Sequence, residues 1–292
     1  MYKKVTIKNN PTLDGMAGMI PDVVFSQAGG EELKMQILSP WCDCEAKERP
    51  AYPLVVFVQG SGWTFPDVWF EIPQLGELAR KGYVVATITH RNAMEGHAYP
   101  ACIQDVKTAI RFLRKNAEVY GIDPERVGLW GTSSGGNLSL LTAMTMGEEA
   151  YETEEYQGYS DKVDYVVACF PTNDFVEFMQ DETAEQDIKN VFVALSDGKV
   201  DENMTVLKQM SPYYIVEEAK KREESVKYPP IFLAHGDADE LIPYRQTEKL
   251  YESLKDTDTD VTFVTVENAP HEGSFWSREI LELIFSFIEE QC

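Results

Sequence analysis

Residues 127–137 read VGLWGTSSGGN, and this stretch decides the fold of the chain. Val127–Trp130 predicts a buried strand, the next residues predict a sharp turn, and a helix is predicted to follow. Glycines at 131 and 135 stand two positions either side of Ser133, where larger side chains would strike the strand and the helix. A G-x-S-x-G match between a strand and a helix is typical of a nucleophile elbow, with the helix amino terminus directed at the serine. The stretch therefore predicts an α/β fold that presents Ser133.

Candidate strands and helices alternate along the rest of the chain. Apolar runs predict strands at 54–58, 83–88, 163–169, 231–234 and 261–266, and helical patterns occupy 67–80, 101–120, 244–255 and 276–290. Residues 22–26 and 33–38, joined by turn-forming residues, predict an N-terminal antiparallel hairpin. Nearly continuous apolar strands that alternate with helices are typical of a parallel sheet covered on both faces. We predict one α/β domain over 1–292 with a mostly parallel sheet of about eight strands.

The interval 175–228 interrupts this alternation. It is rich in Glu, Asp and Lys and carries only weak helical patterns. Such an insertion in an α/β domain usually covers the carboxyl-terminal edge of the sheet, where ligands bind. We predict a small helical cap there, and we expect the acidic segment 148–161 to be a solvated loop.

The charge of the chain argues against two classes of partner. Its formal net charge of -23 repels phosphate backbones and anionic lipid, so we expect no nucleic-acid and no membrane partner. No apolar run approaches the ~20 residues that span a bilayer, and the N-terminal residues lack the apolar core of a signal peptide. We therefore expect a cytoplasmic protein, with monomer and homodimer both open.

Cysteine content argues against a disulfide scaffold and against a zinc site. The five cysteines are an odd number in a chain too long to depend on disulfides. Cys42 and Cys44 are the one close pair, and only four histidines accompany them, which is a poor set of zinc ligands. We expect free thiols, no metal and no other cofactor. The remaining cysteines are Cys102, Cys169 and Cys292.

A serine nucleophile needs a base, and the base needs an orienting acid. In the chain order Ser…Asp…His, the histidines that follow Ser133 are His235 and His271. His271 follows the last predicted strand, and Asp239 lies in the turn after the preceding strand, which should bring it beside the His271 loop. Asp237 in the same turn competes, but we expect it to accept backbone N–H groups of that turn. The predicted catalytic residues are Ser133, Asp239 and His271.

A second motif supplies candidate donors for an oxyanion. The sequence QGSGW at 59–63 follows the first predicted parallel strand, where an HGGG-type loop places backbone N–H groups. We predict an oxyanion hole made of the N–H groups of Ser61, Gly62 and Ser134. Ser134 is not the predicted nucleophile, because Thr132 stands two positions before it where an elbow requires glycine.

Together these motifs resemble the α/β-hydrolase superfamily, and within it the bacterial, hormone-sensitive-lipase-like branch that includes acetyl-xylan and feruloyl esterase-like proteins. The resemblance runs from about residue 22 to the C terminus and extends to Tyr99-Pro100-Ala101, Tyr120–Arg126, Pro171–Phe175 and Ser211-Pro212. It implies an α/β-hydrolase fold and a serine enzyme that hydrolyses small carboxylic esters through an acyl-enzyme. Acylated sugars and hydroxycinnamate esters are the implied substrates, so the expected partner is a small-molecule ester.

The chain departs from the family pattern around both motifs. Gln59 replaces the usual His at the head of the oxyanion loop, and Ser61 replaces the second glycine. Thr132 and Ser134 stand where related enzymes often carry an acidic residue and alanine. We expect Gln59 to hold the loop by a hydrogen bond, and we expect the shape of the acyl pocket to differ.

The substrate pocket and the type of bond are less constrained by the sequence. Aromatic residues near strand ends are candidates for the pocket: Trp63, Phe65, Phe175, Phe178, Phe275 and Trp276. An amidase or peptidase on the same machinery, arylformamidase-like or prolyl oligopeptidase-like, is the second interpretation. A non-catalytic binding protein on a hydrolase fold is the third.

Overall fold

The computed structural model describes residues 1–42, 50–222 and 226–292, which contain an eight-stranded sheet. The strands are β1 (Ala17–Ser26), β2 (Leu33–Pro40), β3 (Tyr52–Val58), β4 (Val84–Ile88), β5 (Ile122–Thr132), β6 (Tyr165–Cys169), β7 (Ile231–Gly236) and β8 (Val261–Val266). Their order across the sheet is β1-β2-β4-β3-β5-β6-β7-β8. The first two strands pair antiparallel, β2 pairs antiparallel with β4, and every later pairing is parallel. The predicted mostly parallel sheet and N-terminal hairpin are confirmed.

Helices connect the parallel strands. They are α1 (Ile72–Arg80), α2 (Ala101–Lys115), α3 (Ala117–Tyr120), α4 (Ser133–Met144), α5 (Phe175–Gln180), α6 (Gln186–Leu195), α7 (Thr205–Gln209), α8 (Pro212–Lys221), α9 (Arg245–Leu254) and α10 (Arg278–Glu290). Two helix predictions need correction. The helix predicted over 67–80 begins at Ile72, and the one predicted over 101–120 divides at Asn116, whose side chain donates to the Phe112 carbonyl at 2.8 Å. A side chain that caps the last turn ends α2 there.

Two apolar layers explain why the parallel strands read as continuous apolar runs. In β3, Val56 and Val58 belong to the larger core, while Val55 and Phe57 belong to the smaller core on the other face. Residues of α2 and α4 fill the larger core, and residues of α1 and α10 fill the smaller one. Because helices cover both faces of the sheet, the side chains on either face of a strand are buried.

The insertion over 175–228 contains α5 to α8 and contacts the loop that follows β3. Trp63, just beyond the end of β3, has its ring centroid 5.1 Å from that of Phe175 in α5 and 5.5 Å from that of Phe192 in α6. These contacts place α5 and α6 against the loop that follows β3. That the insertion acts as a cap over a ligand stays a prediction.

The acidic segment 148–161 is not a purely solvated loop, which corrects our expectation. Asp161 is buried, and its carboxylate forms an ion pair of 2.6 Å with Lys107, which is fully buried in α2. Lys107 Nζ also donates to the Thr145 carbonyl at 2.6 Å. A buried ammonium needs such partners because an unpaired buried charge is strongly unfavourable. Asp161 therefore anchors the segment to α2.

The expectation of free thiols is wrong at Cys42, which is disulfide-bonded, whereas Cys102, Cys169 and Cys292 are free. An odd cysteine count leaves at least one thiol unpaired but does not exclude a disulfide among the others. Cys44 lies outside the described residues. Within the described ranges, no helix combines the length and apolarity that a membrane crossing requires.

Candidate active site

Residues 127–137 form the end of β5, a tight turn at Ser133 and the start of α4. Ser133 is the first residue of α4 and has a φ of 51°, a left-handed conformation that is uncommon for a residue with a side chain. A Cβ on Gly131 would lie 2.2 Å from the Gly135 carbonyl oxygen, and a Cβ on Gly135 would lie 2.0 Å from the Val58 carbonyl oxygen. Both glycines are therefore required sterically, as the spacing predicts.

Replacing Gly135 by alanine should destabilise the protein by about 1–3 kcal/mol or more, because the added methyl group meets backbone that cannot move aside cheaply. Urea denaturation measures the loss. The matched control is Gly76→Ala in α1, where a Cβ meets nothing closer than 3.8 Å. That change should stabilise the protein by about 0.5–1 kcal/mol, since alanine is the better helix former. Equal effects of the two changes would contradict the steric account of the elbow.

The structure brings together the three residues that the sequence nominated as catalytic. His271 Nε2 lies 3.0 Å from Ser133 Oγ, and His271 Nδ1 lies 2.6 Å from Asp239 Oδ2. Ser133 follows β5, Asp239 follows β7 and His271 follows β8, so each stands just beyond the carboxyl end of a parallel strand. Nδ1 must donate to the carboxylate, which leaves the lone pair of Nε2 facing the serine hydroxyl. This is the arrangement in which an imidazole can accept a serine proton.

Asp239 is held on both of its oxygens. Oδ1 accepts the N–H groups of Leu241 and Ile242, each at 2.9 Å. Oδ2 accepts from His271 and also from a second imidazole, since His235 Nε2 lies 3.0 Å away. His235 Nε2 carries the proton, because the same nitrogen also contacts the Ile242 carbonyl, which can only accept. His235 thus supports Asp239 and does not contact Ser133.

These contacts set the charge of Asp239. Its burial alone would favour the neutral acid, but the hydrogen bonds from His235 and His271 outweigh burial and lower the pKa of Asp239 well below its ordinary value. The competing Asp237 lies elsewhere: its Oδ1 accepts the Asn268 N–H at 2.5 Å. That partner belongs to the turn after β8, which corrects the expectation of a bond within the turn of Asp237.

Phe170 is a site residue that sequence reasoning missed. It follows β6 with a φ of 40°, and its ring centroid lies 4.6 Å from that of His271, edge to face. Phe170 also contacts Phe275, with ring centroids 4.8 Å apart. The packing fixes the plane of the imidazole. The available signal was its position directly after a strand of the parallel sheet, where ligand-facing residues concentrate.

The loop after β3 is tied to the elbow by two hydrogen bonds. The Gly60 N–H donates to Thr132 Oγ1, and the Ser61 N–H donates to Ser134 Oγ, each at 2.9 Å. A Cβ on Gly60 would lie 2.9 Å from Ser133 Cβ, so the loop backbone passes directly against the elbow. Both departures from the family pattern at the elbow thus serve as acceptors for loop amides.

Of the three predicted oxyanion donors, the N–H groups of Ser134 and Gly62 have no side-chain acceptor within the described ranges. The Ser134 N–H lies in the first turn of α4, where a helix offers no internal acceptor. Gly62 has a φ of 60°, and a Cβ there would meet nothing within 4 Å, so the space beside it is open. The Ser61 N–H, in contrast, already has the Ser134 hydroxyl as its acceptor.

In the described part of the chain no hydrogen bond from the Gln59 side chain holds the loop, which corrects our expectation. Its side chain is buried, and its Oε1 has no partner among the described residues. The Ser61 hydroxyl instead donates to the Thr64 carbonyl at 3.0 Å, and fully buried His90 approaches it at 3.4 Å through Nε2. Burial lowers the pKa of His90 to about 4, so this imidazole is neutral near pH 7.

The predicted pocket residues divide by exposure. Phe65 is 55% exposed and Trp276 is half-buried, so both have surface available to a ligand. The others are buried: Trp63, Phe175 and Phe178 pack in an aromatic cluster with Phe192, and Phe275 packs on Phe170 beside the imidazole. Their contact with a substrate stays a prediction. Across the described ranges, no three His, Cys, Asp or Glu side chains are grouped to hold a metal ion.

Glu272, the residue after His271, acts electrostatically on the buried Glu71. Burial, together with the nearby Glu272 carboxylate, raises the pKa of Glu71 to about 7. Glu272 has a φ of 77° and ψ of -167°, a region that side chains rarely occupy, and it accepts the Trp276 indole N–H at 2.7 Å. Folding therefore favours the protonated form of Glu71, and the stability that this form provides is lost as the pH rises from about 4.5 through 7.

Replacing Glu71 by glutamine should raise the melting temperature by about 2–4 °C at pH 8 and leave it nearly unchanged at pH 5, since glutamine stays neutral at both. Calorimetry at the two pH values measures the difference. Glu77→Gln is the control, because its carboxylate pairs with Arg278 and its pKa is lowered. That change should lower the melting temperature slightly at pH 8. A gain for Glu71→Gln of the same size at both pH values would contradict the account.

Several known proteins are similar to this chain. Residues 43–254 match the family model described as BD-FAE. Esterase LipC of Mycobacterium tuberculosis is 30% identical over 223 residues, covering 75% of this chain and 52% of LipC. The chain spans 62% of Esterase LipQ of the same organism, so it covers only part of these curated relatives.

Solved structures match over nearly the whole chain. A truncated carbohydrate esterase from gut microbiota superposes with a TM-score of 0.77 at 25% identity, covering 97% of this chain and 99% of that one. A butyrate-bound thermophilic esterase from Thermogutta terrifontis gives 0.73 at 25% identity, covering 92% and 93%. The matched family model, the strand order and these neighbours agree, and the chain belongs to the BD-FAE family of the α/β-hydrolase superfamily.

Proposed function

We propose that this protein is a serine carboxylic-ester hydrolase that acts on small or short-chain acyl esters, with acetylated sugars and hydroxycinnamate esters as candidate substrates. The observation that carries the proposal is the continuous hydrogen-bond chain from Asp239 through His271 to Ser133 Oγ. The relatives named as esterases support the same type of reaction.

In the acylation step, Ser133 Oγ attacks the carbonyl carbon of the ester while His271 Nε2 takes the serine proton. The ionised Asp239 stabilises the imidazolium that results. The carbonyl oxygen becomes an oxyanion beside the amino terminus of α4, where unpaired N–H groups and the helix dipole favour negative charge. When the tetrahedral intermediate collapses, the bond to the alcohol oxygen breaks, and His271 gives its proton to the departing alcohol.

Deacylation repeats the sequence with water as the nucleophile. His271 Nε2 takes a proton from the water as its oxygen attacks the acyl-Ser133 carbonyl. Collapse of the second intermediate breaks the bond to Ser133 Oγ, and His271 returns the proton to that oxygen. The products are the carboxylic acid and the free serine, so one ester bond and one water molecule are consumed per cycle.

Turnover of a matched substrate pair tests the proposal. The purified protein should hydrolyse p-nitrophenyl butyrate much faster than the corresponding p-nitroanilide, because an amine leaves less readily than an alcohol. Faster turnover of the anilide would identify an amidase of this fold. A protein that hydrolyses neither and fails to react with a fluorophosphonate would be a binding protein, and the proposal would be wrong. Acetylated sugars and feruloyl esters of graded size then define the substrate.

A further inference from the structure

The residue after the proposed nucleophile carries a hydroxyl group in an unusual position. Ser134 is fully buried, and its Oγ accepts the Ser61 N–H at 2.9 Å. The Ser61 N–H is one of the groups expected to bind the oxyanion. It already donates to the Ser134 hydroxyl, so it is not free for the oxyanion. Oγ also lies within three covalent bonds of the Ser134 N–H, a second expected donor. The hydroxyl thus stands between two donors of the same site.

The proton of this hydroxyl has no acceptor among the described residues, since the one hydrogen bond of Ser134 Oγ is the bond that it accepts. Two other buried hydroxyls near α4 do have an acceptor. Ser139 donates to the Gly135 carbonyl at 2.8 Å and Thr145 donates to the Leu141 carbonyl at 2.6 Å, each four residues back. Ser134 has no helical carbonyl four residues back to which its hydroxyl could donate, because residue 130 is Trp130 in β5. A buried O–H group without an acceptor is poised for one that arrives with a ligand.

We propose that the Ser134 hydroxyl donates directly to the oxyanion, in place of the Ser61 N–H. The inference rests on the proposed function, because it assigns a donor to the intermediate of that reaction. The oxyanion is then bound by the Gly62 N–H, the Ser134 N–H and the Ser134 O–H. Accepting the Ser61 N–H polarises the hydroxyl and makes it a stronger donor.

A neighbouring hydrogen bond holds the Ser61 N–H in position against the Ser134 hydroxyl. The Gly60 N–H donates to Thr132 Oγ1 at 2.9 Å, which fixes the loop residue immediately before Ser61. If Ser61 N–H turned instead to the oxyanion, it would leave the Ser134 oxygen without its donor in a buried site. Retaining the bond to Ser134 and adding a new one from its hydroxyl satisfies every polar group.

Ser134→Ala tests the proposal because it removes the hydroxyl and keeps the N–H. The kcat for p-nitrophenyl butyrate should fall about 100-fold while KM changes less than about twofold, since the lost bond forms only with the oxyanion. Inhibition by butylboronic acid, whose adduct with Ser133 has a tetrahedral boron that bears an oxygen in the place of the oxyanion, should weaken by at least about 10-fold. Ser139→Ala, the same change five residues further along α4, should keep kcat within about twofold of the unchanged protein.

An unchanged or raised kcat for Ser134→Ala would overturn the inference, because it would mean that the freed Ser61 N–H serves the oxyanion. A rise in KM without a fall in kcat would overturn it as well. If Ser134→Ala does not fold, Ser134→Cys carries the test: a thiol is a weak donor, so kcat should fall at least about 10-fold, and full activity would contradict the proposal. Failure of the proposed function is distinct, since the unsubstituted protein would then not hydrolyse esters.

Discussion

Ser133→Ala should lower kcat for p-nitrophenyl butyrate by at least about 10³-fold. The variant lacks the oxygen that attacks the ester. His271 Nε2 contacts Ser133 Oγ at 3.0 Å, whereas the neighbouring Ser134 hydroxyl is hydrogen-bonded to the Ser61 N–H. Residual turnover should reflect only the polar surroundings of the bound ester. Steady-state kinetics with an active-site titration of the unsubstituted protein measure the ratio.

The loss of activity reports on the role of Ser133 in catalysis only if the variant still folds. Ser133 Oγ has His271 as its partner in the structure, so its loss should shift the melting temperature by no more than a few degrees. Retention of more than about a tenth of the activity in a folded Ser133→Ala variant would remove Ser133 from the mechanism.

Asp239→Asn should lower kcat by about 10³–10⁴-fold. An asparagine presents one oxygen and one NH₂ group, whereas both oxygens of Asp239 accept hydrogen bonds. If the NH₂ group takes the place of Oδ2, it meets the N–H of His235. If it takes the place of Oδ1, it meets the N–H groups of Leu241 and Ile242. In either orientation the NH₂ group faces another N–H donor, which is unfavourable. The substitution also removes the negative charge that stabilises the imidazolium of His271.

The same substitution carries a pH signature. Because the pKa of Asp239 is lowered in the folded protein, the ionised carboxylate contributes stability above the unfolded pKa of about 4, and this contribution is lost as the pH falls below it. The melting temperature of Asp239→Asn should therefore lie below that of the unsubstituted protein at pH 7, and the gap should narrow toward pH 3.

Asp237→Asn is the matched control for Asp239→Asn. Among the described residues, Asp237 Oδ1 accepts one hydrogen bond, from the Asn268 N–H, and the carbonyl oxygen of an asparagine can accept it as well. Its kcat should stay within a few-fold of the original. A large loss in Asp237→Asn together with a small loss in Asp239→Asn would reverse the assignment of the acid.

The fold was predictable because buried strands require apolar residues and tight turns require glycines, and both patterns can be read in the sequence. Apolar runs located the parallel strands, and the glycines around Ser133 identified the elbow, since few other backbones require that spacing. Chain order, together with the positions of His271 and Asp239 after the last two strands, nominated these residues, because loops at the carboxyl ends of parallel strands converge. The end of α2 at Asn116 was not predictable from periodicity, which reports the buried face and not the cap.

Contacts between loops were not predictable for a different reason. The support of Asp239 by His235, the packing of Phe170 on His271 and the bond from Ser61 to Ser134 depend on the direction of individual side chains after the strands have assembled. Gln59 shows the same limit: its residue type suggested a hydrogen bond, but its buried Oε1 has no partner among the residues described. Residue type indicates the capacity to bond, while tertiary structure selects the partner.

The most direct test of the central claim is to trap the nucleophile. Treatment of the native protein with a fluorophosphonate should leave a single phosphonyl group on Ser133, located by mass spectrometry of the peptide that contains residues 127–137. The Asp239→Asn variant should label much more slowly at the same serine. An adduct on Ser134, or no adduct on this peptide in folded and hydrolytically active protein, would contradict the account.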